Sequence, residues 1–86
     1  MAWVYVLKSV RFAKTYTGST TDLNRRLKEH NSGRHPYTKR YLPWSMVYSE
    51  SVADLPSARV REKYLKSAAG RRFIKRQLKH SAVAQR

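Results

Sequence analysis

Five residues of this sequence carry side chains suited to breaking a phosphodiester bond: Tyr5, Tyr16, Arg26, His30 and Glu62. An arginine can stabilise the charge that develops on a phosphate, and tyrosine and histidine can transfer protons. A carboxylate can hold a hard divalent cation, because Mg²⁺ binds through one or two carboxylates together with water and phosphate oxygens. The set indicates phosphodiester chemistry, provided that the fold brings the five side chains together.

Arg26 and His30 lie one turn apart on a predicted helix. At about 100° per residue, His30 falls between Leu23 and Leu27 on the side of the helix that faces the sheet. Arg26 lies at the edge of that side. Taken singly, the two read as a buried, hydrogen-bonded histidine and an arginine whose aliphatic stem covers apolar surface. Their pairing with two tyrosines favours a functional interpretation instead.

Glu62 is the only acid of a second predicted helix and lies at the edge of its apolar arc. A salt bridge with Arg59, Lys63 or Lys66 is the structural alternative, and such exposed pairs are common and weak. A basic protein that uses a divalent cation on phosphate nevertheless needs a carboxylate, and Glu62 is placed to supply it. The other acids are expected at helix starts, at a strand end or facing solvent: Asp22, Asp54, Glu50 and Glu29.

Tyr5 and Tyr16 are expected to be neighbours across a hairpin, where two phenols could face one phosphate. The alternative is that tyrosine is simply a good strand residue. A phenol with a pKa of about 10 is only ~0.1% ionised at neutral pH, so a tyrosine base needs nearby positive charge, or a relay through His30 or a metal-bound hydroxide. Arg26 can supply that charge.

The elements that must position these groups begin with residues 3–7, an apolar run typical of a central strand covered on both faces. Residues 15–17 are predicted to return antiparallel, ending at Gly18, where the backbone can bend or approach a ligand closely. A first helix over residues 22–31 follows, and Gly33 supplies a left-handed stop.

Residues 34–43 mix cations and aromatic rings between two prolines, and residues 44–48 read as a third strand. From Pro56 the spacing predicts a helix that Gly70 interrupts, and a last helix follows with basic residues mostly outward. We predict that the 34–43 loop and the last helix bind nucleic acid through these residues: Arg34, Tyr37, Lys39, Arg40, Tyr41, Arg71, Arg72 and Lys75.

Composition limits the class of protein. A chain of 86 residues has room for one core, so we predict a single domain over residues 1–80 and a frayed tail over 81–86. Nineteen Lys and Arg against five acids give a net charge of +14, which favours a polyanionic partner. Charge alone separates neither DNA from RNA nor a binder from an enzyme.

The expected location is intracellular, in the cytoplasm or another soluble compartment. The sequence has no cysteine, and its longest apolar run, residues 3–7, is far shorter than the roughly 18 residues of a membrane span.

Four segments that contain the five candidate residues resemble the GIY-YIG nuclease family, in particular its small single-domain members. Trp3-Val4-Tyr5 and Tyr16-Thr17-Gly18 are similar to the two family triplets, with Trp for Gly and Thr for Ile. Residues 22–33 resemble the family helix and residues 61–66 its glutamate segment, and Ser19 stands where some relatives have lysine. The resemblance implies an α/β fold, a three-stranded antiparallel sheet flanked by helices in the order β-β-α-β-α-α.

The resemblance also implies a metal-dependent endonuclease that cuts DNA with low or structure-based specificity, in DNA repair or recombination. Arg26 and His30 then match the catalytic arginine and histidine, and Glu62 the ligand of Mg²⁺ or Mn²⁺. Tyr5 or Tyr16 would help to deprotonate water, and which of them does so stays open. A protein partner could supply specificity, and the DNA could be duplex, single-stranded or branched.

Two other functions compete with this one. A non-catalytic nucleic-acid binder would use the 34–43 loop and the last helix, with the nuclease site idle. A basic RNA-associated structural protein would leave Glu62 and the tyrosine pair unexplained. Retention of all five catalytic residue types favours the nuclease.

Overall fold

The fold is built on a three-stranded antiparallel sheet in the order β2-β1-β3. The computed structural model describes residues 1–84, with side chains for residues 1–79. Strand β1 spans Ala2–Ser9, β2 spans Thr15–Thr20 and β3 spans Trp44–Val52. The prediction of a central first strand is confirmed, because β1 pairs with both neighbours and is buried along most of its length.

Alternation along β1 sends its side chains to two different cores. Val4 and Val6 lie in one core with Leu65 and Ile74, whereas Tyr5 and Leu7 lie in the other with Trp44. This follows from the two-residue period of a strand, which directs successive side chains to opposite faces. The sheet is therefore covered on both faces, as the unbroken apolar run of β1 predicts.

Three helices complete the predicted order: α1 spans Leu23–Asn31, α2 spans Leu55–Lys66 and α3 spans Ala68–Ala84, and a short 3₁₀ helix spans Thr38–Tyr41. The Asp22 and Asp54 carboxylates cap α1 and α2, accepting hydrogen bonds from backbone N–H groups at 3.1 and 2.9 Å. Both helix-start predictions are confirmed. Gly33, with φ of 82°, supplies the left-handed stop expected after α1.

The predicted third strand, residues 44–48, was too short. β3 continues to Val52 because its second half pairs with the beginning of β1, where Glu50 lies opposite Val4 and Val52 opposite Ala2. Glu50 consequently lies within the strand rather than at its end. Its carboxylate accepts a hydrogen bond from Arg61 Nε at 2.9 Å.

The predicted break at Gly70 was also misplaced. The boundary falls at Ser67, whose hydroxyl accepts from the Gly70 N–H at 3.2 Å, and Gly70 lies within the first turn of α3. A Cβ at Gly70 would overlap the Tyr64 carbonyl oxygen and the Leu65 Cα and lie 2.7 Å from the Leu65 carbonyl carbon. Gly70 thus permits the close approach of α3 to the end of α2.

The C-terminal helix extends beyond the boundary expected at residue 80. The backbone is helical to Ala84, so the predicted frayed tail falls partly on α3 and partly on residues 85–86, which lie outside the described residues. None of the helices in residues 1–84 has the length and apolar character needed to cross a membrane.

Candidate active site

Four of the five candidate catalytic residues meet on the α1 face of the sheet: Tyr5, Tyr16, Arg26 and His30. The Tyr5 hydroxyl lies 2.9 Å from His30 Nε2 and 3.3 Å from Arg26 Nε. The second ring nitrogen of His30, Nδ1, lies 3.0 Å from the Thr38 hydroxyl. Strand β1, α1 and the 3₁₀ helix thus hold Arg26, Tyr5, His30 and Thr38 in one continuous chain of hydrogen bonds.

The direction of the protons in this chain follows from which groups can donate. The Tyr5 side chain is fully buried, and its O–H needs an acceptor. Arg26 can only donate, so the Tyr5 O–H must donate to His30 Nε2. A neutral imidazole then carries its proton on Nδ1 and donates to the Thr38 hydroxyl.

Burial keeps the two inner groups of this chain neutral. Burial, and then the positive charge of Arg26 and His35, lowers the pKa of His30 to about 4. Burial raises the pKa of Tyr5 to about 12, against the opposing effect of the Arg26 hydrogen bond. The hydrogen bond to Tyr5 raises the pKa of Arg26 above its usual value, so the guanidinium stays charged.

Gly18 makes room for the Tyr5 phenol. The two residues pair across the hairpin, and a Cβ at Gly18 would lie 2.6 Å from the Tyr5 hydroxyl oxygen and 2.8 Å from its Cζ. Gly18 was expected to permit a bend or a close ligand. Its close neighbour is instead a side chain of the same protein, because any Cβ on β2 at this point would push Tyr5 away from His30.

Tyr16 lies in front of the buried pair. Its ring centroid is 6.3 Å from that of Tyr5 and 4.8 Å from that of His30, and its side chain is half-buried. The prediction that the two tyrosines are neighbours is confirmed, although Tyr16 pairs with Leu7 and reaches Tyr5 along the diagonal. Of the two phenols, Tyr16 is the one that solvent reaches.

Arg26 reaches the surface beside Glu29, whose carboxylate the helical pattern predicts to face solvent. Arg26 Nη1 lies 3.0 Å from Glu29 Oε1, and the two side chains are 35% and 33% exposed. The hydrogen bonds from Arg26 and then Arg25 lower the pKa of Glu29. Glu29 therefore orients the guanidinium, and its position three residues after Arg26 is the signal that could have predicted the pair.

Glu62 reaches the edge strand from α2. The Ser19 hydroxyl donates to Glu62 Oε1 at 2.8 Å, and Lys66 Nζ lies 2.7 Å from Oε2. The salt bridge to Lys66, one of the alternatives above, is therefore present. The charge of Glu62 also contributes, as the smallest influence, to raising the pKa of Tyr5, so it acts on the hydrogen-bonded chain.

Comparison with known proteins shows the family of this chain. The GIY-YIG catalytic domain family matches residues 1–77. The chain belongs to the GIY-YIG family. A UPF0213 protein of Streptococcus pneumoniae is 41% identical over 66 residues, covering 76% of this chain and 66% of that protein. A UPF0213 protein of Streptococcus agalactiae is 45% identical over 51 residues, covering 58% of this chain and 57% of its own length.

A solved GIY-YIG relative shares the fold. The solution NMR structure of the UPF0213 protein BH0048 from Bacillus halodurans superposes with a TM-score of 0.52 at 30% identity, covering 90% of this chain and 85% of that one. The chain spans somewhat less than two thirds of the length of the streptococcal relatives. Family membership and the three-stranded α/β fold are thus established independently of the site geometry.

Among the five candidate catalytic residues, Glu62 is the one whose carboxylate could hold a cation. Within residues 1–84 no three His, Cys, Asp or Glu side chains cluster as a ready-made metal cage. Mg²⁺ does not need one, since it keeps several waters and takes its other ligands from substrate phosphate. Glu62 is 21% exposed and its partner Lys66 is 54% exposed, so an ion that binds the carboxylate would have to displace Lys66 from Oε2.

Two further residues position groups of the candidate site, although the sequence does not predict them. Thr38 is fully buried and fixes the second nitrogen of His30. Asn31 binds the backbone of Trp44 in both directions, accepting from its N–H at 2.7 Å and donating to its carbonyl at 3.1 Å. Neither residue type carries a distinctive sequence signal, because each acts on a partner at least eight residues away.

The residues predicted to bind nucleic acid fall in three places. Arg34, Lys39 and Arg40 are exposed, the last two on the 3₁₀ helix. Tyr37 and Tyr41 lie in contact, with ring centroids 5.4 Å apart, and Tyr37 also lies beside Tyr16. On exposed positions of α3, Arg71 and Lys75 line grooves against β2, whereas Arg72 lines neither of them.

Proposed function

We propose that this chain is a metal-dependent endonuclease that hydrolyses DNA phosphodiester bonds with low or structure-based specificity. The observation that carries the proposal is the hydrogen-bonded chain of Arg26, Tyr5 and His30 directly behind an accessible Tyr16. These residue types resemble the family motif, and they meet on one surface of a strongly basic domain that matches the family over residues 1–77.

The geometry supports distinct roles for the two tyrosines. Tyr16, which solvent reaches, would orient and help to deprotonate the attacking water. Tyr5 is fully buried with a pKa of about 12, so it suits a positioning residue that holds Arg26 in place. His30 would hold Tyr5 by accepting its proton, and its low pKa keeps it in the accepting, neutral form at pH 7.

Arg26 would stabilise the charge of the transition state. Its guanidinium is held at Nε by Tyr5 and at Nη1 by Glu29, and about a third of the side chain remains exposed. A cation positioned in advance stabilises developing charge without reorganisation at the moment of reaction. Glu62 would hold Mg²⁺ or Mn²⁺, which when bound supplies Lewis-acid stabilisation of the leaving oxygen.

The +14 charge supports binding to the DNA backbone. The exposed Arg34, Lys39 and Arg40 would contact phosphates on either side of the scissile bond, together with the basic face of α3. Action in DNA repair or recombination, and a protein partner that supplies specificity, belong to the same proposal.

One observation favours the competing function of a non-catalytic nucleic-acid binder. The Lys66 ammonium at 2.7 Å neutralises the only carboxylate proposed as a metal ligand. Cleavage and binding must therefore be measured separately.

The test is cleavage of labelled duplex, single-stranded and branched DNA with Mg²⁺ or Mn²⁺, using Glu62→Gln as the diagnostic variant. The amide keeps the acceptor for Ser19 and removes the metal-binding charge. Cleavage should be lost while DNA binding is retained or slightly tightened.

Glu50→Gln is a matched control, because Glu50 is 24% exposed against 21% for Glu62 and is also ion-paired. Glu50 lies on β3, whereas Glu62 contacts β2 at the other edge of the sheet. The Glu50→Gln variant should keep its cleavage activity. Wild-type turnover in Glu62→Gln would refute the role of Glu62. Binding without cleavage of any substrate by the wild type would favour the non-catalytic function.

A further inference from the structure

A row of aromatic rings leads away from Tyr16 towards the β1–β2 loop. The ring centroids of Tyr16 and Tyr37 are 6.2 Å apart, those of Tyr37 and Tyr41 5.4 Å, and those of Tyr41 and Phe12 5.6 Å. Each ring thus contacts the next. The aromatic row, Tyr16-Tyr37-Tyr41-Phe12, connects the candidate active site to a loop that the catalytic proposal leaves without a role.

Two of the four rings in the aromatic row are largely exposed. Phe12 is 48% exposed and Tyr37 is 41% exposed, and the half-buried Tyr41 lies between them. A single exposed ring is ordinary, but exposed rings linked through contacting aromatic side chains form a continuous apolar surface of the kind that binds a partner. Flat rings with free π-faces suit stacking on nucleobases.

Cations lie beside the aromatic row. An open groove of about 670 Å³ is lined by Tyr16 and Tyr37 together with Lys14, Lys66 and Arg71, and by no acidic residue. Lys14 Nζ also lies 5.4 Å from the centre of the Tyr41 ring. Cations thus lie beside three of the four rings, and aromatic rings next to positive charge are the combination by which proteins hold the bases and the phosphates of a single strand.

We propose that the aromatic row and its groove bind an unpaired DNA strand that leads into the active site. The preferred substrates would then be DNA molecules with a single-stranded segment next to the scissile phosphate. Bases in duplex DNA are already stacked on one another, so they cannot use the rings, whereas both forms can use the cations. The proposal rests on the nuclease function for its substrate, but the binding preference can be measured without cleavage.

The test compares binding of a 12-nucleotide single strand and a blunt hairpin duplex, each labelled with fluorescein, by anisotropy in the presence of EDTA. The variant is Phe12→Leu combined with Tyr37→Leu. Affinity for the single strand should fall by about fivefold to 150-fold for each lost base contact, and affinity for the duplex should change less than twofold. Tyr37→Phe keeps the ring and should keep the affinity.

Tyr64→Leu is the matched control. Tyr64 is 42% exposed, against 41% for Tyr37, but lies on α2 with its ring against Arg61 and outside the groove. It should leave both affinities unchanged. Equal losses on single strand and duplex, no loss in the double variant, or the same loss in Tyr64→Leu would each overturn the proposal.

The outcome is distinct from that of the nuclease test. Cleavage that needs Glu62, with single-strand binding indifferent to the rings, would leave the nuclease proposal intact and refute the aromatic row. Ring-dependent single-strand binding by a protein that cleaves nothing would support the aromatic row and refute the nuclease. Thermal unfolding of each variant verifies that a loss of binding is not a loss of fold.

Discussion

Acidification should destabilise this protein through His30 before its carboxylates are protonated. His30 is fully buried and donates to Thr38 while accepting from Tyr5. Protonation would put a second donor against Tyr5 and a new positive charge next to Arg26 and His35, with only Glu29 acting in the opposite sense. The neutral imidazole is therefore the form that the fold stabilises.

The magnitude follows from the pKa of His30, which falls from 6.5 to about 4 on folding. Below pH 6.5 the unfolded chain binds a proton that the folded protein does not, so stability is lost as pH falls through this window and the loss levels off near pH 4. At about 1.4 kcal/mol per unit of pKa, the total loss is on the order of 3 kcal/mol. That is a large part of the stability of a small domain.

The assay is urea unfolding at 25 °C between pH 7.5 and 4, followed by tryptophan fluorescence, since Trp44 is buried in the core beside Tyr5. His30→Gln is the comparison, because its amide stays neutral throughout. Glu29 and Asp54 also have lowered pKa values and lose their stabilising contribution as pH falls, but they do so in both proteins. The difference in free energy of unfolding between wild type and variant isolates His30.

At pH 7 the wild type should be the more stable protein, and its advantage should shrink by about 3 kcal/mol towards pH 4. Parallel pH profiles for the two proteins would refute the reasoning. So would an NMR titration in which the His30 imidazole of the folded protein titrates near 6.5.

Two further predictions concern single substitutions. Arg26→Ala should lower the saturated cleavage rate by a few hundredfold, about 3 to 4 kcal/mol, with a much smaller rise in the dissociation constant, and Arg26→Lys should rescue it only partly because the planar fork is lost. Weaker binding at an unchanged saturated rate would instead make Arg26 a ground-state phosphate contact. Gly70→Ala should destabilise the protein by about 1 to 3 kcal/mol in urea unfolding, because overlap with the backbone at Leu65 outweighs a helix-propensity gain of about 1 kcal/mol. A more stable variant would show that α3 can shift away at little cost.

Local patterns determined much of the fold. The apolar run of β1, the capping aspartates before α1 and α2, and the left-handed Gly33 each act over a few residues, so the sequence predicts them directly. Where a boundary depends on packing, the same reasoning failed. Gly70 reads as a helix break from its type, but it lies inside α3 because two helices meet there.

Residue types and motifs also indicated the five candidate catalytic residues, because the family pattern can be read along the chain. The order of residues along the chain does not show which side chains are in contact. Tyr5 and His30 are 25 residues apart, and Ser19 and Glu62 are 43 apart, so their hydrogen bonds exist only after the sheet and helices pack.

Burial is likewise a property of the packed state. Burial shifts the pKa values of Tyr5 and His30 so that both side chains stay neutral at pH 7. Tyr16 and Arg26 are only partly buried and therefore remain accessible. The alignment of Phe12, Tyr37 and Tyr41 beside a basic groove has the same origin, since three separate segments contribute to it. The sequence thus specified which chemical groups are present, and the tertiary structure decided which are buried, which are exposed and which act together.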